Sequence, residues 1–169
     1  MLKQFFGAVW QNLPPWARYR LTRIAQERFT VTTAVAIFDD DGRVLLLEHV
    51  FRPDSKWGLP GGFMSSGEQP EAGVRREIRE EIGIELEALE LLFARSLGRL
   101  RQVEIYFRAR AVGVPEPRSF EIKRAEWFTL NALPPDLSRD QIRLIDRAVV
   151  SVKSPNNDGM LRRENRSVE

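Results

Sequence analysis

The sequence predicts an α+β fold: a mixed β-sheet layered against helices, with a short helical extension at its N-terminus. Two observations carry that prediction. Runs rich in Thr, Val and Ile outnumber runs with helical spacing. The helical runs also fall between and after hairpin signals instead of alternating regularly with strands. A chain of 169 residues is long enough for one well-cored domain and short for two.

The elements follow in order. Residues 1–28 carry Lys3, Arg18, Arg20, Arg23 and Arg28 against Glu27 alone, with aromatic and aliphatic residues between them. Pro14-Pro15 divides this zone into two short helical pieces, because neither proline donates a helix hydrogen bond and the first restricts its predecessor. The extension is expected to pack over the sheet or to pair two copies in a homodimer. A membrane-surface helix is the less favoured alternative. Residues 29–151 form the expected catalytic domain. Phe29–Phe38 reads as a strand, Asp39-Asp40-Asp41-Gly42 as a hairpin turn, and Arg43–Val50 as the returning strand. A helix is expected over Pro70–Ile82. A second hairpin follows, from Leu86–Leu97 through Gly98 to Gln102–Val112, and then a strand over Phe120–Thr129. The last helix, Arg139–Val150, has Leu144, Ile145, Ala148 and Val149 at helical spacing. Residues 152–169 are polar, contain Pro155-Asn156-Asn157-Asp158-Gly159 and are expected to be a disordered tail.

Composition removes several function classes. With no cysteine, disulfides, thiolate nucleophiles and Cys-ligated zinc are excluded. A formal charge of +2 is too small to argue nucleic-acid binding by itself. No stretch approaches the roughly 20 apolar residues of a transmembrane helix, and the apolar run Phe5–Trp10 lacks a cleavage pattern. The expectation is a soluble, cytoplasmic protein.

The chemistry concentrates in Gly61–Ile84. Gly58, Gly61, Gly62 and Gly67 allow a tightly bent backbone that approaches a ligand closely. Pro70 suits a first helical turn, and Gly83 suits a left-handed helix end. At ~100° per residue, Val74, Ile78 and Ile82 form an apolar stripe, with Glu77, Glu80 and Glu81 clustered beside it. Glu77 and Glu81 repel at i,i+4, and acidic groups late in a helix oppose its dipole. A hard divalent cation would offset both effects. A solvated acidic face paired with Arg75, Arg76 and Arg79 is the competing reading.

Gly62, Glu68, Arg76, Glu77, Ile78, Glu80, Glu81, Gly83 and Ile84 resemble the complete Nudix box. The pattern is Gly, five residues, Glu, seven residues, Arg-Glu, an aliphatic, any residue, Glu-Glu, any residue, Gly and an aliphatic. Trp57-Gly58-Leu59-Pro60 looks like the usual approach to the box, and Glu126-Trp127-Phe128 like the strand that follows it. The resemblance implies a Nudix-type α/β/α sandwich around a mixed sheet. It also implies a hydrolase that cleaves the pyrophosphate bond of a nucleoside diphosphate linked to another group, or of a nucleoside triphosphate. Mg²⁺ or Mn²⁺ would be held by Glu77, Glu80, Glu81 and the Gly61 carbonyl, while Arg76 and Glu68 brace the loop. Metal ions activate water and polarise phosphoryl oxygens. Glu77 is the first choice of general base. Glu121 is the second, with Glu126 as the alternative at that position.

Outside the box, Phe51, Arg52, Trp57 and Arg95 are the candidates for substrate binding, by stacking or by pairing with phosphate. His49, the only histidine, is given no role. Markers of NADH, coenzyme A, ADP-ribose and dinucleoside-polyphosphate hydrolases are not found, so the substrate stays open. Removal of pyrophosphate from RNA 5′ ends is the alternative enzymatic reading, and otherwise nucleic acid is not an expected partner. A non-catalytic nucleotide-sensing domain is disfavoured, because the box keeps all its carboxylates.

Overall fold

The computed structural model describes residue 7 and residues 10–52 and 55–153; the side chains of residues 25 and 151–153 are not described. The expected tail from residue 154 onward therefore lies outside the described residues, as does the beginning of the extension.

Residues 10–12 are helical, the chain leaves helical geometry at Leu13 and Pro14, and helix α1 runs over Pro15–Ala25. The break stands where the paired prolines require one. The expectation that this helix packs over the sheet is not met. Trp16, Tyr19, Leu21 and Ile24 are all exposed.

Among the described residues, seven strands make one mixed sheet: β1 (Thr30–Phe38), β2 (Val44–His49), β3 (Trp57–Gly58), β4 (Gly61–Phe63), β5 (Glu85–Leu97), β6 (Gln102–Val112) and β7 (Ile122–Phe128). The main path is β3-β2-β1-β6-β5, with β4 on β1 and β7 on β2. β1 and β6 are parallel and the other pairs antiparallel. Helices α2 (Pro70–Ile82) and α3 (Arg139–Lys153) complete the α/β/α sandwich.

The alternation of the strands fixes the two cores. Val35 and Ile37 of β1, with Leu45 and Leu47 of β2, pack against Val74, Ile78 and Ile82 of α2. Ala34, Ala36, Val44 and Leu46 face the other way, against Leu144, Ile145 and Ala148 of α3. All these side chains except Ala34 and Leu144 are completely buried.

Three local features open the site. The Asp39 carboxylate accepts the N–H groups of Asp41 and Arg43 (3.1 and 2.8 Å) and Gly42 takes φ +73°, so the expected hairpin turn forms. β1 and β2 then pair only at Phe38 and Val44, beside that turn, and diverge. Their separated ends take different partners: β1 receives β4 through Thr32–Ala34, and β2 receives β3 and β7. The short strands β3 and β4, expected as loop, flank this divergence.

Between β2 and β7 the register slips by one residue, so Glu48 stands opposite Arg124 and His49 opposite Ile122. Lys123 is the extra residue. In a bulge two neighbours oppose one partner, and both Lys123 and Arg124 pair with the buried Glu48 carboxylate. The slip also sets Val50 N–H on the Glu121 carbonyl at 2.8 Å, bringing Glu121 to the end of the strand that bears His49.

Candidate active site

Helix α2 starts at Pro70, ends at Gly83 in the left-handed conformation (φ +70°), and buries one face composed of Gly73, Val74, Ile78, Glu81 and Ile82. That face separates Glu77, Glu80 and Glu81, which helical spacing alone grouped together. Glu81 is on the buried side at 9% exposure. Glu77 sits at the rim with its side chain 17% exposed, and Glu80 turns outward at 60%.

Glu81 and Glu77 line a cavity of about 360 Å³ together with Gly61, Gly62, Phe63, Glu121, His49, Phe51 and Arg52. The Gly61 N–H donates to the Glu81 carboxylate at 3.3 Å. Burial pushes the Glu81 carboxyl up to about 8; Glu77 and Glu121 push the same way, while the Gly61 N–H and Arg52 oppose it.

Arg76 braces the loop before the helix. Its guanidinium makes two bonds to Glu68 (2.9 and 3.0 Å), one to the Phe63 carbonyl (3.1 Å), one to Glu77 (2.9 Å) and one to Glu80 (3.1 Å). Arg76 and the Ser65 N–H hold the Glu68 carboxyl down to about 2. The glycines fit the same scheme. Gly61 has φ +144°, and a Cβ there would strike the Thr33 backbone. A Cβ on Gly62 would lie 2.5 Å from the carboxyl carbon of Glu77.

Among the described residues no three His, Asp or Glu side chains converge to enclose a cation as they are oriented here. Glu80 is turned away to Arg76. The donor chemistry nevertheless fits a hard divalent ion, because Glu77, Glu81 and Glu121 share one cavity and the first and last both disfavour the charged form of Glu81.

The other candidates divide. Phe51, exposed and edge-on to Phe120 at 6.0 Å, and Arg52 are on the cavity wall. Trp57 is not. It is 8% exposed in the core beneath α3, edge-on to Phe128 at 5.0 Å, with Arg124 over its ring. Arg95 is also elsewhere, its fork held by Glu104 (2.7 Å) and Asp140 (2.9 and 2.6 Å). Glu126 pairs with Arg124. A second chamber of about 210 Å³ shares Arg52, Gly61, Gly62 and Phe63 with the first and is walled by Thr32, Gln102, Glu104 and Gln141. Sequence reading missed His49 and this polar wall. Strand alternation through Leu45 and Leu47 would have put His49 on the helix side, but nothing local in the sequence marks where the core ends and the cavity begins.

Comparison with known proteins gives a consistent result. The NUDIX domain model matches residues 28–148. A MutT-like protein of Streptomyces ambofaciens is 32% identical over 118 residues, covering 69% of this chain and 75% of that protein. The NAD-capped RNA hydrolase NudC of Pseudomonas aeruginosa is 40% identical over 75 residues, but these are 44% of this chain and only 27% of that protein. Among solved structures, a MutT NUDIX hydrolase from Burkholderia pseudomallei superposes with a TM-score of 0.64 at 31% identity, covering 72% of this chain and 98% of that one.

Proposed function

The chain belongs to the Nudix family of hydrolases, and from that premise we propose a divalent-metal-dependent pyrophosphohydrolase acting on a nucleoside diphosphate linked to another group, or on a nucleoside triphosphate. The observation that carries this reading is the meeting of Glu77, Glu81, Glu121 and Gly61 on one cavity.

Glu81, Glu77 and the Gly61 carbonyl are the proposed metal ligands, for Mg²⁺ or Mn²⁺; Glu80 would join them by leaving Arg76. A bound divalent ion lowers the pKa of water and polarises the phosphoryl oxygens. Arg76 keeps Glu77 at the rim and closes the loop around it. Glu77 is thus already engaged by Arg76 and by the proposed metal, so the general-base role is assigned to Glu121. Glu121 is exposed on the cavity wall, where it can take a proton from the attacking water and pass it to solvent. Arg52 faces both chambers and suits a phosphoryl oxygen. The second chamber, with its hydroxyl, amide and carboxylate wall, suits the polar group attached to the diphosphate. Phe51 offers an exposed ring on the wall of the first cavity. A homodimer joined through the exposed apolar residues of α1 belongs to the same proposal, as does a cytoplasmic location.

The test is product release across nucleoside diphosphate sugars, ADP-ribose, dinucleoside polyphosphates, oxidised deoxynucleoside triphosphates and 5′-triphosphate RNA, with each metal. Nucleoside monophosphate or pyrophosphate release from at least one small substrate is expected. No turnover of any substrate with either metal would overturn the reading. The similarity to an NAD-capped RNA hydrolase favours RNA 5′ ends as the second reading. Activity confined to RNA, and falling steeply with salt, would select it.

A further inference from the structure

The unassigned group in the cavity is His49. The residue is 9% exposed, and among the described residues the buried imidazole Nε2 has no hydrogen-bond partner. Buried polar atoms are paired in the great majority of proteins, so an orphan in a ligand cavity calls for a partner that the free protein lacks. β2 carries the ring there. Leu45 and Leu47, on the same face of the strand, pack against α2, and His49 continues that face beyond the core into the cavity. The slip at Lys123 restores Ile122, a residue of the same core, as the neighbour opposite His49. The ring is therefore held by regular sheet structure and not by a loop.

We infer that His49 is a substrate-positioning residue whose imidazole, on turning its Nε2–H from the wall toward the cavity that the ring lines, donates to a phosphoryl oxygen of the bound diphosphate alongside Arg52. This rests on the hydrolase reading above. Burial, helped by Arg52, holds the imidazole down to about 4, so the ring is neutral near pH 7 and donates without adding charge. The titratable and charged groups sharing its cavity are Arg52, Glu77, Glu81 and Glu121. The three carboxylates suit the cation side of a metal-bound diphosphate. The imidazole and the guanidinium supply donors for oxygens that a metal leaves free. A hard divalent ion prefers oxygen ligands, which argues against Nε2 as a metal ligand.

The test uses the full chain with His49→Leu, His49→Gln and His49→Asn. Binding of α,β-methylene-ADP with Mg²⁺ is measured by calorimetry, and Mn²⁺ binding alone is measured in parallel. The Leu variant is expected to weaken nucleotide binding by roughly 10- to 100-fold, the range of one hydrogen bond to a charged group. Its Tm should hold or rise, since an unpaired buried polar atom has been removed. Gln, whose amide N–H reaches the Nε2 position, should recover most of the affinity. Asn, whose amide falls short, should not, and this pair decides the matter even if the Leu variant does not fold. Mn²⁺ binding should be unchanged in all three.

Equal nucleotide affinity in wild type and in Leu or Asn overturns the inference. So does a loss of Mn²⁺ affinity, or a Tm that falls in Leu with nucleotide affinity intact. If wild type hydrolyses substrates and those variants bind normally, only the His49 role fails. If wild type neither binds the analogue nor cleaves any diphosphate, both readings fall.

Discussion

Gly62 and Glu77 occupy one space: the side chain that Gly62 lacks would sit 2.5 Å from the carboxyl carbon and one oxygen of Glu77. Gly62 pairs with Thr33 across β1 and β4, so the backbone cannot retreat, and Glu77 must yield. Because Glu77 is the flexible end of a side chain, Gly62→Ala should fold normally while moving that carboxylate out of place. The expected loss of kcat is about 100-fold, as for a small misplacement of a reacting group. Gly61→Ala is different, since its obstacle is the Thr33 backbone and its φ of +144° suits only glycine. It should cost about 1–3 kcal/mol of stability. Activity and thermal melts of the two variants, side by side, check both outcomes.

Glu81→Gln should abolish turnover almost completely and leave Tm unchanged or higher. The amide keeps the shape and can still accept from Gly61, and it replaces a carboxyl whose ionisation burial penalises. The same loss is expected when EDTA treats wild type, with recovery on adding Mg²⁺ or Mn²⁺. Near-normal Mg²⁺-dependent rates in the variant would contradict a metal-binding role.

Arg76→Lys keeps the charge and loses the fork that reaches Glu68, Glu77 and the Phe63 carbonyl. About 1 kcal/mol of stability should go, lowering Tm by about 2–4 °C in a chain of this size. Activity should fall further than stability does, because Glu77 and the loop are loosened together. Calorimetry and kinetics on one preparation separate the two effects.

His49 should also leave a mark on the pH dependence of stability. Its folded pKa, about 4, lies below the ordinary 6.5. Between those values the unfolded chain binds a proton that the folded chain does not, so stability is intact above about pH 6.5 and is lost as pH falls toward 4. His49→Leu should remove that part of the acid sensitivity. Urea midpoints of both proteins at pH 7 and pH 5 measure it, and an identical drop in the two would refute it.

Much of the fold is legible in the sequence. The turn at Asp39–Gly42, the helix Pro70–Ile82 with its Gly83 end, and the strand Gln102–Val112 all depend on short-range chemistry that neighbouring residues declare. The short strands at Trp57–Gly58 and Gly61–Phe63 were not legible, because their pairing is with β2 and β1, distant in sequence. The carboxylates show the same division. Spacing alone grouped Glu77, Glu80 and Glu81, whereas packing of α2 buried Glu81 and left Glu80 to Arg76. Trp57 resembled a stacking residue, but the core beneath α3 claimed it. Arg95 looked free to hold phosphate until the fold placed Glu104 and Asp140 beside it.

The parallel contact of β1 with β6, from Thr30–Gln102 to Phe38–Arg110, has a consequence for the order of assembly. Everything between the two strands is a loop that this one pairing must close, and non-local closure of that kind is slow. The helix and the first hairpin can form early from their own signals. The middle of the sheet cannot, because β1 lacks its parallel neighbour until β6 has been synthesised. A nascent chain halted before Gln102 would therefore carry Glu77, Glu80 and Glu81 on the ribosome and still have no enzyme.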